Sequence, residues 1–157
     1  MINPEELKAF QALEDLSDDK LEKLAAIAKE VHYVQNDVVF RECEIGDALY
    51  FLKQGKILLE RDIKPKVTLA LGAVHPGMPF GWTSLKSKGL YSWSAVCDED
   101  STVFVFDVDE LRNLCDLDNV LGYLLLKNLM INIKSRLDFR TEQLLRVIRN
   151  HPQIKFD

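Results

Sequence analysis

The spacing of apolar residues changes twice along the chain and divides it into three parts. In residues 1–30 the apolar positions recur at three- and four-residue intervals, which predicts N-terminal helices. In residues 31–107 they form short runs separated by turn residues, which predicts strands. In residues 108–150 the helical spacing returns, and the last helix is expected from about Val120 to Arg149. The predicted order is therefore helices, a β region, and helices again.

Capping residues mark where three of these helices begin. Asn3 precedes Pro4 and two acidic residues, which is a favourable order for a first helical turn. Ser17 precedes two aspartates and a second apolar helical pattern. Asp107 and Glu110 have the spacing of a capping box where the C-terminal helices are expected.

Many short strands with frequent turns favour one fold class. Turn pairs such as Gln54-Gly55 and Pro76-Gly77 recur within the β region, whereas helical patterns lie only at its two ends. This order argues against βαβ units and for a mainly β fold with flanking helices, as a sandwich, barrel or jelly roll. With 157 residues, no repeat and no linker, residues 1–157 are expected to form a single domain.

Composition and charge argue against several classes of function. A net charge of −5 disfavours general nucleic-acid binding, because neutralising phosphates requires a basic surface. Three scattered cysteines give neither a disulfide framework nor metal-ligand spacing, so no metal site is expected. The chain has no signal-peptide pattern and no apolar run of about 18 residues, so a cytoplasmic protein without a membrane partner is expected.

The stretch from Gly72 to Val96 is the strongest candidate for a binding site. It predicts a strand end, a Pro-Gly turn, a short helical turn that opens at Phe80-Gly81, and then a new strand. N–H groups at such a helix start can hold an anion, and Gly81 would let the backbone approach a ligand closely. The residues themselves assign no cofactor beyond a small anionic ligand.

Four segments in order carry a resemblance to a known family. They are Val39–Leu59, Pro76–Gly81, Val96–Asp107 and the final long helix, with turn glycines at Gly46, Gly55, Gly77 and Gly81. Over nearly its whole length the chain resembles the cyclic-nucleotide-binding effector domain of the catabolite-activator and fumarate–nitrate-regulator (CRP/FNR) family. The resemblance implies a double-stranded β-roll, jelly-roll-like, with N-terminal helices and a long C-terminal helix that commonly forms a dimer seam.

The resemblance also places a cassette for phosphate and sugar at residues 77–92, with cyclic AMP as the typical ligand. The candidate ligand-binding residues carried over are Phe80, Gly81, Trp82, Thr83, Ser84, Ser92 and Ser94. Lys86 and Lys88 in the cassette loop either contact an anion or belong to a solvated loop.

Two departures from the family pattern weaken the binding that it implies. The family's glutamate, which accepts the ribose hydroxyl, is replaced here by Trp82, and no arginine lies between Arg61 and Arg112 to hold the cyclic phosphate. Hydrogen bonds to charged groups contribute roughly 1.5–3 kcal/mol each, so binding of cyclic AMP or GMP is expected to be about 10²- to 10⁴-fold weaker. Trp82 either fills the vacated pocket or stacks on a planar ligand.

The final helix carries an apolar seam that indicates a homodimer, although the helix could instead serve only as a lid on the roll. The seam is interrupted once by Arg140, and its residues are Leu126, Met130, Ile133, Leu137 and Leu144. A second stripe is expected to face the β region, formed by Leu121, Leu125 and Leu129. Residues 127–149 carry six Lys and Arg against two acidic residues, a concentration expected to form a solvated face and not a partner site.

Two hypotheses of function remain open. The leading one is a stand-alone regulatory or sensor domain in which, as the resemblance implies, occupancy of the cassette shifts the final helix. The alternative is a ligand-free dimeric scaffold or interaction module that binds a protein partner through that helix. A pocket closed by Trp82 would favour the scaffold, and an open one lined by serines and a lysine would favour the sensor.

Enzymatic activity and DNA binding are not expected. No nucleophile–histidine arrangement appears, and the histidines at positions 32, 75 and 151 lack the spacing of a cupin metal site. The chain ends about eight residues after the predicted last helix without a helix-turn-helix pattern, so neither a DNA-binding domain nor direct DNA contact is expected.

Overall fold

A computed structural model describes residues 2–65, 67–86 and 89–150, and the long helices lie at the ends of the chain. The helices are α1 (Pro4–Leu7), α2 (Asp18–Ile27), α3 (Val108–Leu117) and α4 (Asn119–Arg149), with 3₁₀ turns at Gln11–Leu13 and Trp82–Leu85. The strands are β1 (Ala28–Tyr33), β2 (Val38–Phe40), β3 (Ala48–Gln54), β4 (Ile57–Lys64), β5 (Val67–Val74), β6 (Pro79–Phe80), β7 (Ser94–Cys97) and β8 (Ser101–Asp107).

In the described part of the chain these strands form two four-stranded sheets. The strand order is β1-β8-β3-β6 in one sheet and β2-β7-β4-β5 in the other. All neighbouring strands are antiparallel. The predicted mainly β fold, a double-stranded roll with N-terminal helices and a long C-terminal helix, is confirmed.

Strands β3 and β8 separate two hydrophobic cores. Successive side chains on a strand point to opposite faces, so each strand serves both cores. On β3, Leu49 and Phe51 pack with the helices, whereas Tyr50 and Leu52 pack in the interior of the roll. Burial on both faces explains why β3 reads as a continuous apolar run and not as an alternation.

Helix α2 ends at Ile27, and β1 begins three residues earlier than the sequence predicts. Ala28, which the sequence pattern places in the helix, has extended backbone with ψ of 142° and lies opposite Phe106 of β8. Residues 28–30 are good helix formers, so pairing with β8 overrides their local preference.

The predicted capping residues stand where helices begin, but not all of them act through their side chains. The Asn3 carboxamide accepts the N–H of Glu5 at 3.1 Å, and the Asp107 carboxylate accepts two N–H groups of the first turn of α3 at 3.0 Å each. Ser17 occupies the position before α2, yet its hydroxyl donates to Asp19 and caps no backbone N–H.

Helix α4 changes environment near its middle. Its predicted inner stripe, Leu121, Leu125 and Leu129, is buried in the helix-side core, which confirms that part of the pattern. The Asn128 amide, also buried, donates to the carbonyl of Ala12 at 3.2 Å. Residues 130–149, all of them described, include no fully buried side chain, and part of this half lies across the mouth of the roll.

Over residues 2–65, 67–86 and 89–150, no helix combines the length and apolarity required to cross a membrane.

Candidate ligand-binding site

A cavity of about 420 Å³ lies where residues 80–83, the inner wall of the roll and helix α4 meet. Its lining is mainly aromatic and aliphatic, with two arginines and a few hydroxyl groups. The lining residues are Phe40, Leu59, Phe80, Gly81, Trp82, Thr83, Tyr91, Ser92, Trp93, Ile133, Arg136, Leu137 and Arg140. Pockets of roughly 300–1,000 Å³ are typical of small-molecule sites, and this one is lined by residues of the predicted cassette, so it is the candidate binding site.

Gly81 fixes the shape of the cassette backbone. Its φ of 76° lies in the left-handed region that favours glycine, and a Cβ there would lie 2.8 Å from the ring of Tyr50. The 3₁₀ turn Trp82–Leu85 starts immediately afterwards, which confirms the short helical turn predicted at this point. Gly81 therefore allows both the reversal of the chain and its close approach to β3.

Stacked aromatic rings form and support the inner wall of the cavity, with Tyr50 behind the lining residues Phe40, Phe80 and Tyr91. The rings of Phe40 and Tyr91 stack at 3.8 Å between centroids, and those of Tyr50 and Phe80 at 5.1 Å. The Tyr91 hydroxyl donates to the carbonyl of Ala48 at 3.0 Å. Burial raises the pKa of Tyr91, so the phenol stays neutral near pH 7 and the wall carries no charge.

Trp82 forms a second wall and holds an arginine of α4. The guanidinium of Arg136 lies 4.7 Å from the centroid of the Trp82 ring, and its Nη2 donates to the carbonyl of Pro79 at 2.9 Å. Burial and, to a smaller extent, the neighbouring Arg140 lower the pKa of Arg136 to about 10, which leaves it charged at neutral pH. Trp82 thus lines the cavity without filling it.

Arg140 closes the other side of the cavity mouth. Its guanidinium lies against the backbone of Gly72 on β5, where a Cβ would overlap with Nη2. The missing side chain at Gly72 therefore makes the space that this arginine occupies.

The cassette is also attached to helix α3. Nη2 of Arg112 donates to the carbonyl of Ser84 at 2.9 Å. Ser84 is fully buried against Gly46, where a Cβ would lie 2.8 Å from the Cα of Ser84. Both C-terminal helices therefore contact the cassette directly, α3 through Arg112 and α4 through Arg136.

The structure separates the predicted ligand-binding residues into two groups. Those that line the cavity are Phe80, Gly81, Trp82, Thr83 and Ser92. Ser84 belongs to the same turn but is fully buried outside this lining, and the hydroxyl of Ser94 accepts the N–H of Glu42 at 3.0 Å, also outside it. Lys86 is exposed and does not line the cavity, and Lys88 lies outside the described residues.

Sequence reasoning missed Trp93, Arg136 and Arg140 as cavity residues. The expectation that the basic residues of α4 form a solvated face does not hold for Arg136, which is half-buried on Trp82. A pattern in the sequence could have found the two arginines. They are four residues apart and alternate with Ile133 and Leu137, so they share a helix face with apolar side chains.

The predicted seam residues are largely exposed in the single chain. Leu126, Met130, Leu137 and Leu144 are each more than half exposed, and Ile133 is 39% exposed. Ile133 and Leu137 also line the cavity. The seam and the cavity therefore share two residues, and the homodimer remains a prediction.

Within the described residues, no cluster of three or more His, Cys, Asp and Glu side chains could hold a metal ion. His32 instead shares a 2.9 Å hydrogen bond with the hydroxyl of Thr102, away from the cavity.

Comparison with known proteins gives one family. A family model for the cyclic nucleotide-binding domain matches residues 30–118. A solved protein from Geobacter metallireducens GS-15, named for cyclic nucleotide binding, is 28% identical with a TM-score of 0.78, over 87% of this chain and 99% of that one.

Two further structures have the same fold. A cyclic nucleotide-binding domain from Methylobacillus flagellatus KT is 20% identical, with a TM-score of 0.79 over 98% of this chain and 83% of its own. The catabolite activator protein of Thermus thermophilus is 24% identical, with a TM-score of 0.72, and the match covers 87% of this chain and 62% of that protein.

Proposed function

The chain belongs to the cyclic-nucleotide-binding domain family, and on that premise we propose that it is a regulatory or sensor domain whose divergent pocket binds cyclic AMP and GMP weakly or not at all. The observation that carries this proposal is the cavity lining. No described lining residue has a carboxylate or carboxamide side chain, so a ribose hydroxyl lacks the acceptor that the family's glutamate supplies. The cassette itself supplies no arginine, since none lies between Arg61 and Arg112.

The contacts of the cassette with the two C-terminal helices support a way to transmit occupancy. A ligand that displaces Trp82 would also disturb Arg136, because the guanidinium of Arg136 lies over the Trp82 ring and donates to the carbonyl of Pro79. Because Arg136 belongs to α4, the disturbance reaches the helix that carries the exposed apolar seam. Occupancy would then change the contacts of α4 with a partner, which is the regulatory output we propose.

A second candidate function rests on the exposed seam of α4 alone. Exposed apolar residues sustained at coiled-coil spacing favour association through α4 whether or not the cavity is occupied. In this alternative the roll is a ligand-free dimeric scaffold, and α4 binds either a second copy or a protein partner.

The remaining features of the proposal follow from family and composition. We infer a cytoplasmic, non-enzymatic homodimer, because the family is defined by ligand binding and not by catalysis, and because the seam favours pairing of identical helices. Direct DNA contact is not part of the proposal, since the net charge is −5 and a protein that neutralises phosphates needs a basic surface.

Isothermal titration with cyclic AMP and cyclic GMP tests the proposal. We expect dissociation constants of roughly 0.1 mM or weaker, as follows from the loss of two charge-assisted partners. A dissociation constant in the low micromolar range for either nucleotide would overturn the divergent-pocket proposal. Hydrogen exchange along residues 119–149 is then measured with and without cyclic AMP at millimolar concentration. In the sensor the exchange of α4 changes, whereas in the scaffold it does not.

A further inference from the structure

Two arginines line a mainly apolar cavity, and both come from helix α4 and not from the cassette. Arg136 and Arg140 are one helical turn apart, so their side chains lie on the same face of the helix. Each is half-buried, Arg136 against Trp82 and Arg140 against the backbone of Gly72.

This pair of positive charges has no counter-charge in the described part of the chain. No carboxylate there lies within ion-pair distance of either guanidinium. Asp138, between them in sequence, pairs with Lys134, and Glu42 pairs with Arg61 at 2.7 Å. Two neighbouring, partly desolvated cations raise the free energy of the folded state until an anion compensates them. The arrangement therefore points to an anionic ligand.

The rest of the lining indicates what accompanies that negative charge. Trp82, Trp93, Leu59 and Leu137 offer apolar surface, and hydroxyl groups come only from Thr83, Ser92 and Tyr91 among the described lining residues. A sugar with several hydroxyls would find few partners here to replace its hydrogen bonds to water, and no carboxylate among the described lining residues to accept them. An apolar body would instead gain from burial.

The charge of the anion and the polarity of the lining narrow the choice among anions. The planar fork of a guanidinium matches the oxygens of a carboxylate and of a phosphate alike. A phosphate monoester carries close to two negative charges at pH 7, so it costs more than a carboxylate to bury in a mainly apolar cavity. We propose that the cavity binds an organic carboxylate with an aliphatic or aromatic body, its charge held by Arg136 and Arg140. This inference rests on the proposed function, since it names the ligand class of the same regulatory site.

Such a ligand would act directly on α4. Arg136 now donates to the carbonyl of Pro79, and a carboxylate in the cavity competes for the same guanidinium. Binding would therefore draw the two arginines toward the cavity, and α4 with them. The ligand and the seam would be linked through Ile133 and Leu137, which belong to both.

A matched pair of probes tests the inference on the unaltered chain. Adamantane-1-carboxylate and its neutral analogue adamantane-1-carboxamide have nearly the same size and differ in charge. In isothermal titration we expect the acid to bind at least about tenfold more tightly than the amide, with a difference that shrinks at high salt. Equal affinities for acid and amide, or no binding of the acid up to about 10 mM, would overturn the inference.

Substitutions of the two arginines test whether they hold the carboxylate of the probe. Arg136→Gln and Arg140→Gln should each weaken binding of the acid by about 10- to 100-fold and leave the amide within about threefold. Arg146→Gln is the matched control, because Arg146 is exposed on the same helix and outside the cavity lining. If both cavity variants leave the affinity for the acid unchanged, the arginines do not hold the ligand and the inference is wrong.

The two proposals fail separately. Low-micromolar binding of cyclic AMP would overturn the divergent-pocket function whatever the carboxylate does. Weak cyclic AMP binding together with silence toward the acid would overturn only the present inference. Thermal melts of each variant show whether it folds. If Arg136→Gln does not fold, the comparison of acid with amide on the unaltered chain still tests whether the cavity prefers an anion.

Discussion

The two halves of helix α4 share one secondary structure and differ in how they pack against the rest of the domain. In residues 119–129 an inner stripe, Leu121, Leu125 and Leu129, is buried in the helix-side core, and the Asn128 amide donates to the carbonyl of Ala12. In residues 130–149 the apolar side chains are mostly exposed, and two arginines extend over the cavity. The comparison shows that the first half fixes the helix to the domain. The second half makes few buried contacts, and such segments open at low free-energy cost.

The largest expected effect separates the two halves by stability. Leu125→Ala removes a fully buried side chain and should lower the free energy of unfolding by about 2–5 kcal/mol. Leu137→Ala, at a position 63% exposed, should cost less than about 1 kcal/mol. Urea unfolding at low protein concentration, where dimer formation contributes least, gives both values. Similar losses for the two variants would show that the second half is as firmly packed as the first.

The next effect concerns association through the second half. Leu144→Glu places a charge in the seam and should weaken the homodimer by about 10- to 100-fold, because an unpaired charge would be buried on pairing. Gln143→Glu adds the same charge at the adjacent position outside the seam and should change the dimer by less than about threefold. Sedimentation velocity over a concentration series measures both. An unaltered chain that stays monomeric at every concentration would contradict the seam.

The smallest effect concerns the contact that joins α4 to the cassette. A double-mutant cycle of Trp82→Ala and Arg136→Ala should give a coupling of about 0.5–2 kcal/mol in unfolding free energy, since the guanidinium lies over the ring in a partly buried place. Arg61 and Trp93, at 5.4 Å, form a comparison pair that does not involve α4. Hydrogen exchange in residues 130–149 should increase in the Trp82 and Arg136 variants and stay unchanged in the Arg61 and Trp93 variants. If exchange changes in neither set, Arg136 does not link α4 to the cassette.

The features of the fold that could be predicted are those encoded within a few residues. Asn3 and Asp107 mark helix starts because capping depends on backbone groups two or three residues away. Phe80-Gly81 marks the cassette turn because few residues other than glycine adopt its φ. The alternation of strands and turns predicted a sandwich, barrel or jelly roll, and the family resemblance narrowed this choice to the double-stranded roll.

The features that could not be predicted depend on residues far apart in sequence. Ala28 enters β1 because β8 pairs with it from the other end of the β region. Ser92 and Ser94 would share a face if both lay in one strand, but β7 begins only at Ser94, so Ser92 reaches the cavity and Ser94 does not. Arg136 lies more than 50 residues from the ring on which it stacks, a distance at which local patterns carry no information.

The placement of the aromatic rings at the cavity has a practical consequence. The chain has two tryptophans, Trp82 and Trp93, and both line the cavity beneath a guanidinium, of Arg136 and of Arg61 respectively. Indole emission responds to nearby charge and to contact with water, so all of the tryptophan fluorescence of this protein originates at the site in question. The unlabelled molecule is thus its own optical reporter of whether, and how fast, the cavity fills.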